Sequence, residues 1–120
     1  MDDLLWTKRA WSGATAYAES KLCDVLLAFA VARRWTNTLS NAVEPGWVPT
    51  KMGGPSAPDD LVEGCVTQAW LATSEEAPAR STGVYFYHQR PRSPNPLANN
   101  ISIQEQLLAE CRRVSGIAFD

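Results

Sequence analysis

The amino-acid sequence predicts an α/β fold with parallel strands. Three stretches with helical spacing of apolar residues, near residues 14–35, 59–73 and 102–115, alternate with two short β-branched or aromatic runs. This alternation is typical of α/β domains, in which helices connect consecutive parallel strands. The 120 residues, 45% of them apolar, suffice for one domain with a modest core. The predicted order is helix, strand, helix, strand, helix within a single domain, residues 1–120.

The first helix is predicted from Ala14 to about Trp35, after an irregular connection over residues 1–13. Ser12 or Thr15 caps its start, and two arginines near its end suit the negative pole of the helix dipole. Its apolar face follows the i, i+3, i+4, i+7 spacing through Leu22, Val25, Leu26, Phe29 and Ala30.

A first strand is predicted at 39–44 and ends at the turn-forming Pro45-Gly46 pair. The chain is predicted to stay extended through residues 47–50, because Pro49 disfavours the helical conformation of the residue before it. A loop follows over residues 53–58.

Asp59 or Asp60 is predicted to cap the second helix, which runs to about Thr73; Glu63, three residues after Asp60, completes a capping-box spacing. Its predicted apolar face comprises Val62, Cys65, Val66, Ala69 and Trp70.

The second strand is predicted at residues 84–88, followed by a proline-rich loop over 90–96. A capping box from Ser102 to Glu105 then opens the last helix, which Gly116 ends. The predicted apolar face of this helix comprises Leu107, Leu108, Cys111 and Val114.

Composition narrows the possible functions. A formal net charge of −2 and the lack of long basic runs disfavour nucleic-acid binding. No apolar stretch reaches the roughly 20 residues of a membrane span, and the acidic start does not resemble a signal peptide. Cys23, Cys65 and Cys111 are predicted to be buried thiols in a reducing, cytoplasmic environment rather than disulfide partners or metal ligands. No metal site is predicted.

Tyr17 and Lys21 are the first candidates for chemistry. Four residues separate them, so on a helix they lie on one face, one turn apart. A nearby ammonium stabilises a phenolate and makes tyrosine a better proton donor. The same spacing also occurs by chance in many amphipathic helices.

The neighbouring sequence favours a catalytic role for Tyr17 and Lys21. Tyr17-Ala18-Glu19-Ser20-Lys21 is followed about two dozen residues later by Pro45-Gly46-Trp47-Val48-Pro49-Thr50. Together these resemble the Tyr-x-x-x-Lys and Pro-Gly-x-Val-x-Thr motifs of the short-chain dehydrogenase/reductase family. The start of the chain is similar to an insertion in the branch that holds retinol dehydrogenases, protochlorophyllide reductases and daunorubicin-type ketoreductases. The resemblance covers nearly all of the chain, but only the C-terminal half of the family's Rossmann-type, doubly wound parallel sheet.

The resemblance implies specific roles at the matching positions. Tyr17 would be the general acid/base, and Lys21 would bind the nicotinamide ribose and lower the pKa of Tyr17. Ser20 has no certain role. The cofactor would be NADP or NAD, and the substrate a small carbonyl or alcohol. Further cofactor contacts would come from Pro45, Gly46, Val48 and Thr50.

Family features of the nucleotide-binding half are missing from these 120 residues. The sequence contains neither the glycine-rich turn that holds the pyrophosphate nor the Asn-Asn-Ala-Gly segment, and no serine matches the catalytic one. Shifting a tyrosine pKa from about 10 to neutrality requires roughly 4 kcal/mol. An ammonium about 5 Å away supplies roughly 3 kcal/mol at an effective dielectric of about 20, but under about 1 kcal/mol in water. We therefore expect the isolated chain to be inactive and to bind no cofactor usefully.

Two functional hypotheses follow. The first is the catalytic-helix half of an NAD(P)(H)-dependent oxidoreductase, which would require the missing half. The second is a truncated, non-enzymatic module that self-associates or binds a partner. An unpaired edge of the strand at 39–44, or the apolar face of the Tyr17 helix, would support a homo-oligomer. His88, the only histidine, is predicted to be a packed or capping residue rather than a catalytic one.

Overall fold

Two parallel strands and a third antiparallel strand form the sheet. The structure, a computed structural model, describes residues 3–119. Met1 and Asp2 of the predicted irregular connection, and Asp120 at the end of the predicted domain, lie outside the described residues. Strand β1 (Ala42–Glu44) pairs in parallel with β2 (Tyr85–Tyr87), and the sheet order is β1-β2-β3. The predicted α/β class with a parallel strand pair is confirmed.

Both parallel strands are shorter than predicted. Near their starts, side chains take over part of the backbone pairing, and β2 ends at Tyr87 because His88 enters a turn. The amide of Asn41 donates to Ser81 O at 2.8 Å, and its oxygen accepts from Val84 N at 2.9 Å. Ser40 N donates to Thr82 Oγ1 at 3.0 Å. Regular pairing therefore begins only at Ala42.

The prediction of a loop from Arg90 is wrong at its first two residues. Strand β3 (Arg90–Pro91) pairs antiparallel with β2 through a two-residue turn at His88 and Gln89. Both turn residues have positive φ, 46° and 61°, as a type I′ hairpin turn requires. The usual Asn-Gly signal of such a turn is absent from the sequence, so no hairpin is predicted there.

Helix α1 (Gly13–Arg34) matches its prediction. Ser12 Oγ accepts a hydrogen bond from Thr15 N at 3.4 Å, so Ser12 is the N-cap. Within the predicted apolar face Leu26, Phe29 and Ala30 are buried, whereas Leu22 and Val25 are partly exposed.

Helix α2 spans Glu63–Thr73. Of the two predicted caps, Asp60 is confirmed: its Oδ1 accepts from Val62 N and Glu63 N at 2.8 and 3.0 Å, so it satisfies the first amides of the helix. Asp59 instead binds the turn after β1.

The predicted apolar face of α2 is wrong at Val62, Cys65 and Ala69, which are exposed, whereas Val66 and Trp70 are partly buried. The buried positions of the helix are Gly64 and Thr67. The helix meets the rest of the protein through close backbone approach at Gly64 and a hydrogen bond at Thr67. Trp70 contributes an edge-to-face contact with buried Phe86, with ring centroids 5.7 Å apart.

Helix α3 (Ile101–Ser115) follows a 3-10 helix (Pro96–Asn99), and its predicted cap is wrong. Asn100 Oδ1 accepts from Ile103 N at 3.2 Å, which makes Asn100 the N-cap in place of Ser102. Gly116 ends the helix with φ 73°, as predicted.

The main core lies between α1 and α3, where Leu107 and Leu108 join the buried face of α1. Cys111 and Val114, predicted to face the core, are exposed, and the buried residues of α3 are Gln104, Leu107 and Leu108. Cys23 is partly exposed, and burial raises the pKa of its thiol. The prediction of three buried thiols is therefore wrong for exposed Cys65 and Cys111; all three cysteines are free.

Candidate active site

The candidate site is a cleft between α1 and the open edge of β1, which we call the α1–β1 cleft. Its volume is about 830 Å³, within the range of ligand pockets. One wall is a single stripe of α1, and the other is formed by residues 41–46 and Tyr85. Four of the predicted site residues line this cleft: Tyr17, Lys21, Pro45 and Gly46.

Tyr17 and Lys21 lie on one face of α1, as their spacing predicts. Lys21 Nζ is 5.8 Å from the centroid of the Tyr17 ring, and the Tyr17 side chain is half exposed. Ser20 Oγ donates to the backbone oxygen of Tyr17 at 2.7 Å, so the helix backbone already engages this hydroxyl.

Asp24 completes the group, although no sequence motif singled it out. Lys21 Nζ donates to Asp24 Oδ2 at 2.7 Å, one turn further along α1. The hydrogen bond and charge of this carboxylate, with a smaller contribution from Tyr17, raise the pKa of Lys21. The lysine is therefore held in the cationic form that can stabilise a phenolate.

The Pro45-Gly46 turn is held in place by Asp59. Asp59 Oδ2 accepts from Trp47 N at 2.5 Å, and Asp59 N donates to Trp47 O at 3.0 Å. Gly46 has φ 84°, and a Cβ there would lie 2.7 Å from Asp59 Oδ2. Glycine is therefore required at this position for both backbone conformation and space.

Val48 and Thr50 do not line the cleft. Thr50 N donates to Val48 O at 2.8 Å, and Thr50 Oγ1 accepts from Gly53 N at 3.1 Å, so the loop folds back on itself. A Cβ on Gly64 would lie 2.7 Å from Val48 Cγ1. Glycine at position 64 thus lets α2 approach this loop closely, which the sequence pattern of α2 did not indicate.

Glu44 is a second cleft residue that sequence reasoning missed. Its Oε2 accepts from Tyr85 OH at 3.3 Å and from Arg92 Nη1 at 2.8 Å. Burial, followed by the charge of Glu44, raises the pKa of Tyr85. Arg92 reaches Glu44 only because β3 returns beside β2, so no local pattern could have indicated this contact.

His88 is packed, as predicted, and stacks on Tyr87 with ring centroids 3.9 Å apart. Across residues 3–119 no three His, Cys, Asp or Glu side chains are grouped in a way that could hold a metal ion. No helix in the same range is long and apolar enough to cross a membrane.

The parallel strand pair and the α1–β1 cleft define a partial Rossmann-like α/β protein, and its known relatives are oxidoreductases. The chain is 36% identical to the short-chain dehydrogenase chry4 of Gibberella zeae, over 98% of the chain and 46% of that protein. It is 39% identical to an uncharacterized oxidoreductase of Emericella nidulans, over 85% of the chain and 41% of that protein. Human retinol dehydrogenase 13 is 28% identical, over 97% of the chain and 41% of that protein.

The chain is therefore homologous to about half of a short-chain dehydrogenase/reductase, and the predicted family is confirmed. It spans less than half the length of these three relatives. No family model matches the chain, and no solved structure is detectably similar.

Proposed function

We propose that this chain carries the proton-transfer part of an NAD(P)(H)-dependent oxidoreductase that interconverts carbonyls and alcohols. The observation that supports this proposal is the α1–β1 cleft, which brings the Tyr17–Lys21 pair and the Pro45-Gly46 turn to one site. These two motifs are 24 or more residues apart in the sequence and meet only because β1 lies beside α1.

The described residues fit the nicotinamide end of such a cofactor. Lys21 offers a cationic donor to ribose hydroxyls, and Gly46 leaves the turn without a side chain where a planar ring would approach. The bound dinucleotide supplies or accepts the hydride. Its adenosine end has no site among the residues that match the family's motifs, so the rest of the fold would hold it.

In carbonyl reduction, the Tyr17 hydroxyl would donate its proton to the carbonyl oxygen of the substrate, while a bound dinucleotide would supply the hydride. The resulting Tyr17 phenolate is stabilised by the Lys21 ammonium and then regains a proton from solvent. In alcohol oxidation the same groups act in reverse.

Solvent exposure limits this chemistry in the isolated chain. The side chain of Lys21 is 59% exposed, so water screens its effect on Tyr17. A covering segment that excludes water would strengthen the interaction. We therefore propose that the chain alone is inactive and becomes active when the cleft is closed. Under this proposal it acts in the cytoplasm, where its three free thiols stay reduced.

The test is a chimera in which this chain replaces the matching part of the Gibberella zeae relative. NADPH or NADH oxidation would be followed by absorbance with a panel of apolar ketones and aldehydes. Tyr17→Phe should lower kcat/KM by roughly 10²- to 10⁴-fold, because it removes the proton donor. The matched control Tyr87→Phe changes a tyrosine outside the cleft lining and should have little effect. A fully active Tyr17→Phe chimera would refute the proposal.

A second candidate function is a non-enzymatic module that binds a partner. Among residues 3–119, no strand pairs with the side of β1 that faces away from β2, and such an unpaired strand edge is an association site.

A further inference from the structure

Two of the three cysteines lie on the helices that form the main core. Cys23 is on α1 and Cys111 is on α3, and these helices pack against each other with Leu26 and Leu107 buried. Cys23 precedes Leu26 by three residues, and Cys111 follows Leu107 by four. Residues three or four apart share one face of a helix, so each cysteine extends the face that carries a core residue.

The side chain of Cys23 lies on the α3 side of α1. It lines a hollow together with Ile103, a residue in the first turn of α3. Ile103, Leu107 and Cys111 follow each other at intervals of four residues and therefore form one stripe along α3. The stripe of α3 that meets Cys23 is thus the stripe to which Cys111 belongs.

Electrostatics also place Cys111 near Cys23. Burial raises the pKa of the Cys23 thiol, and the charge of Cys111 is the next largest cause, ahead of the charge of Asp24. Asp24 is the residue that follows Cys23 on α1, and Coulomb interactions weaken with distance. A sulfur that opposes the ionisation of Cys23 more strongly than this adjacent carboxylate is a close neighbour.

The third cysteine has a different environment. Cys65 is on α2, and its Sγ donates to Val62 O of the same helical turn at 3.2 Å. All three thiols are free, with Cys111 exposed and Cys23 partly exposed, so a small oxidant can reach the pair. Cys65 therefore provides an internal comparison for any reaction of the other two.

We propose that Cys23 and Cys111 form a reversible disulfide when the reduced chain reacts with a peroxide, and that this bond links α1 to α3. The exposed Cys111 thiolate attacks one oxygen of hydrogen peroxide, the O–O bond breaks, and a sulfenic acid and a hydroxide form. The Cys23 sulfur then attacks the sulfenic sulfur, so that the S–S bond forms, the S–O bond breaks and a second hydroxide leaves. The two thiol protons convert both hydroxides to water. Two thiols are thereby oxidised to one disulfide, and one peroxide is reduced to two waters.

The disulfide would be a transient modification rather than a permanent cross-link. In a reducing compartment the thiols are regenerated by exchange with other thiols, and disulfides found there are characteristically redox-sensing. Both helices belong to this chain, so the pairing requires no other segment of the fold. The bond would close the chain from residue 23 to residue 111 into one loop, and a cross-link across a long loop restricts the unfolded state most.

The test treats the reduced chain with an equimolar amount of hydrogen peroxide, blocks the remaining thiols with iodoacetamide and measures mass. Before blocking, the oxidised monomer should be about 2 Da lighter, the mass of two hydrogens. After blocking, Cys65 alone should carry the label. Trypsin, which cleaves after Lys21 and Arg112, should release the peptides of Cys23 and Cys111 still joined, and dithiothreitol should separate them.

Variants assign the bond to this pair. Cys23→Ser and Cys111→Ser should each abolish the joined peptide, whereas the matched control Cys65→Ser should leave it unchanged. Oxidation should raise the thermal midpoint of the wild-type chain by about 5 °C or more, and it should not raise that of Cys111→Ser. Thermal unfolding of the reduced variants would also confirm that they fold.

Three results would overturn the proposal: no joined peptide in the oxidised wild-type chain, a joined peptide that contains Cys65, or disulfides only between separate chains. A thermal midpoint lowered by oxidation would overturn it as well, because the two thiols would then not be neighbours in the folded chain. No turnover is measured, so these results are independent of the proposed oxidoreductase function.

Discussion

Lys21 and Asp24 form an ion pair across one turn of α1, with Lys21 Nζ 2.7 Å from Asp24 Oδ2. The pair lies beside Tyr17 and lines the α1–β1 cleft. An ammonium that would bind ribose hydroxyls and stabilise a phenolate is thus already held by a carboxylate of its own helix. Asp24 therefore favours the ammonium form of the lysine and fixes its position in the candidate site.

The first prediction concerns this pair. Asp24→Asn should lower the pKa of Lys21 toward its ordinary value, because the neutral amide no longer stabilises the ammonium. NMR titration of the lysine side-chain resonances would measure the change. The matched control is Glu110→Gln on α3. This substitution removes the carboxylate that pairs with Arg113 at the same i, i+3 spacing, and it should leave the pKa of Lys21 unchanged.

The sign of the stability effect follows from the raised pKa. The pair stabilises the folded chain below the pKa of unfolded lysine, and this contribution is lost as pH rises through the higher folded value. The Asp24→Asn variant lacks the ion pair, so its free energy of unfolding should not show this decrease at alkaline pH. A Lys21 pKa unchanged by the substitution would contradict the assignment.

The second prediction concerns Thr67, whose buried Oγ1 accepts from Gln89 N at 2.9 Å. Thr67→Val preserves the shape but leaves this amide without its acceptor. We expect a loss of about 1–3 kcal/mol in the free energy of unfolding, measured by urea denaturation. Thr73→Val, at an exposed position on the same helix, should cost no more than about 0.5 kcal/mol. Equal effects at the two positions would exclude a special role for Thr67.

The third prediction concerns the hairpin turn at His88 and Gln89, both with positive φ. The double substitution His88→Asn with Gln89→Gly should stabilise the chain by about 1–2 kcal/mol, since these residues tolerate the left-handed conformation. It also removes the buried Nε2 of His88, which has no hydrogen-bond partner in the structure. Thermal unfolding would measure the gain.

Gln89→Val provides the opposing control for this turn, because a β-branched residue at φ 61° is strained and should destabilise the chain. Destabilisation by the Asn-Gly pair would show that stacking of His88 on Tyr87 outweighs the backbone strain.

The fourth prediction concerns Glu105, which accepts hydrogen bonds from Arg33 and Arg34 and joins α3 to the end of α1. These hydrogen bonds, that of Arg34 first, lower the pKa of Glu105. The resulting stabilisation is present above the pKa of an unfolded glutamate and is lost as pH falls through the lower folded value.

Glu105→Gln should therefore lower the urea midpoint near neutral pH, and the difference from wild type should shrink in acid. Glu75→Gln, which removes a mostly exposed partner of Arg80, is the control and should change the midpoint little. If the difference in urea midpoint between wild type and Glu105→Gln persisted at low pH, the ion pairs of Glu105 would not be its cause.

Part of this protein follows directly from its sequence. The extent of α1, its Ser12 cap, the shared face of Tyr17 and Lys21 and the end of α3 at Gly116 all depend on neighbours within one or two turns. Helical periodicity and capping are such local effects. The two family motifs are local patterns as well, so the amino-acid sequence alone is enough to identify the family.

Tertiary contacts decided which residues of α2 are buried and which residues Glu105 of α3 pairs with. Asn100 rather than Ser102 caps α3, while Glu105, predicted to complete the box, pairs with α1. Gly64 and Thr67 are the buried positions of α2 because the turn after β1 and the hairpin contact the helix there. Several residues were locally acceptable for each role, and only distant partners selected one.

The α1–β1 cleft shows the same division. The sequence determined that Tyr17 and Lys21 lie together and that Pro45 and Gly46 form a turn. Only the packing of β1 beside α1 placed the two motifs in one cleft, and only the sheet order left the edge of β1 open. Spacing along one helix is fixed by its backbone geometry, whereas proximity between elements depends on how the whole chain packs.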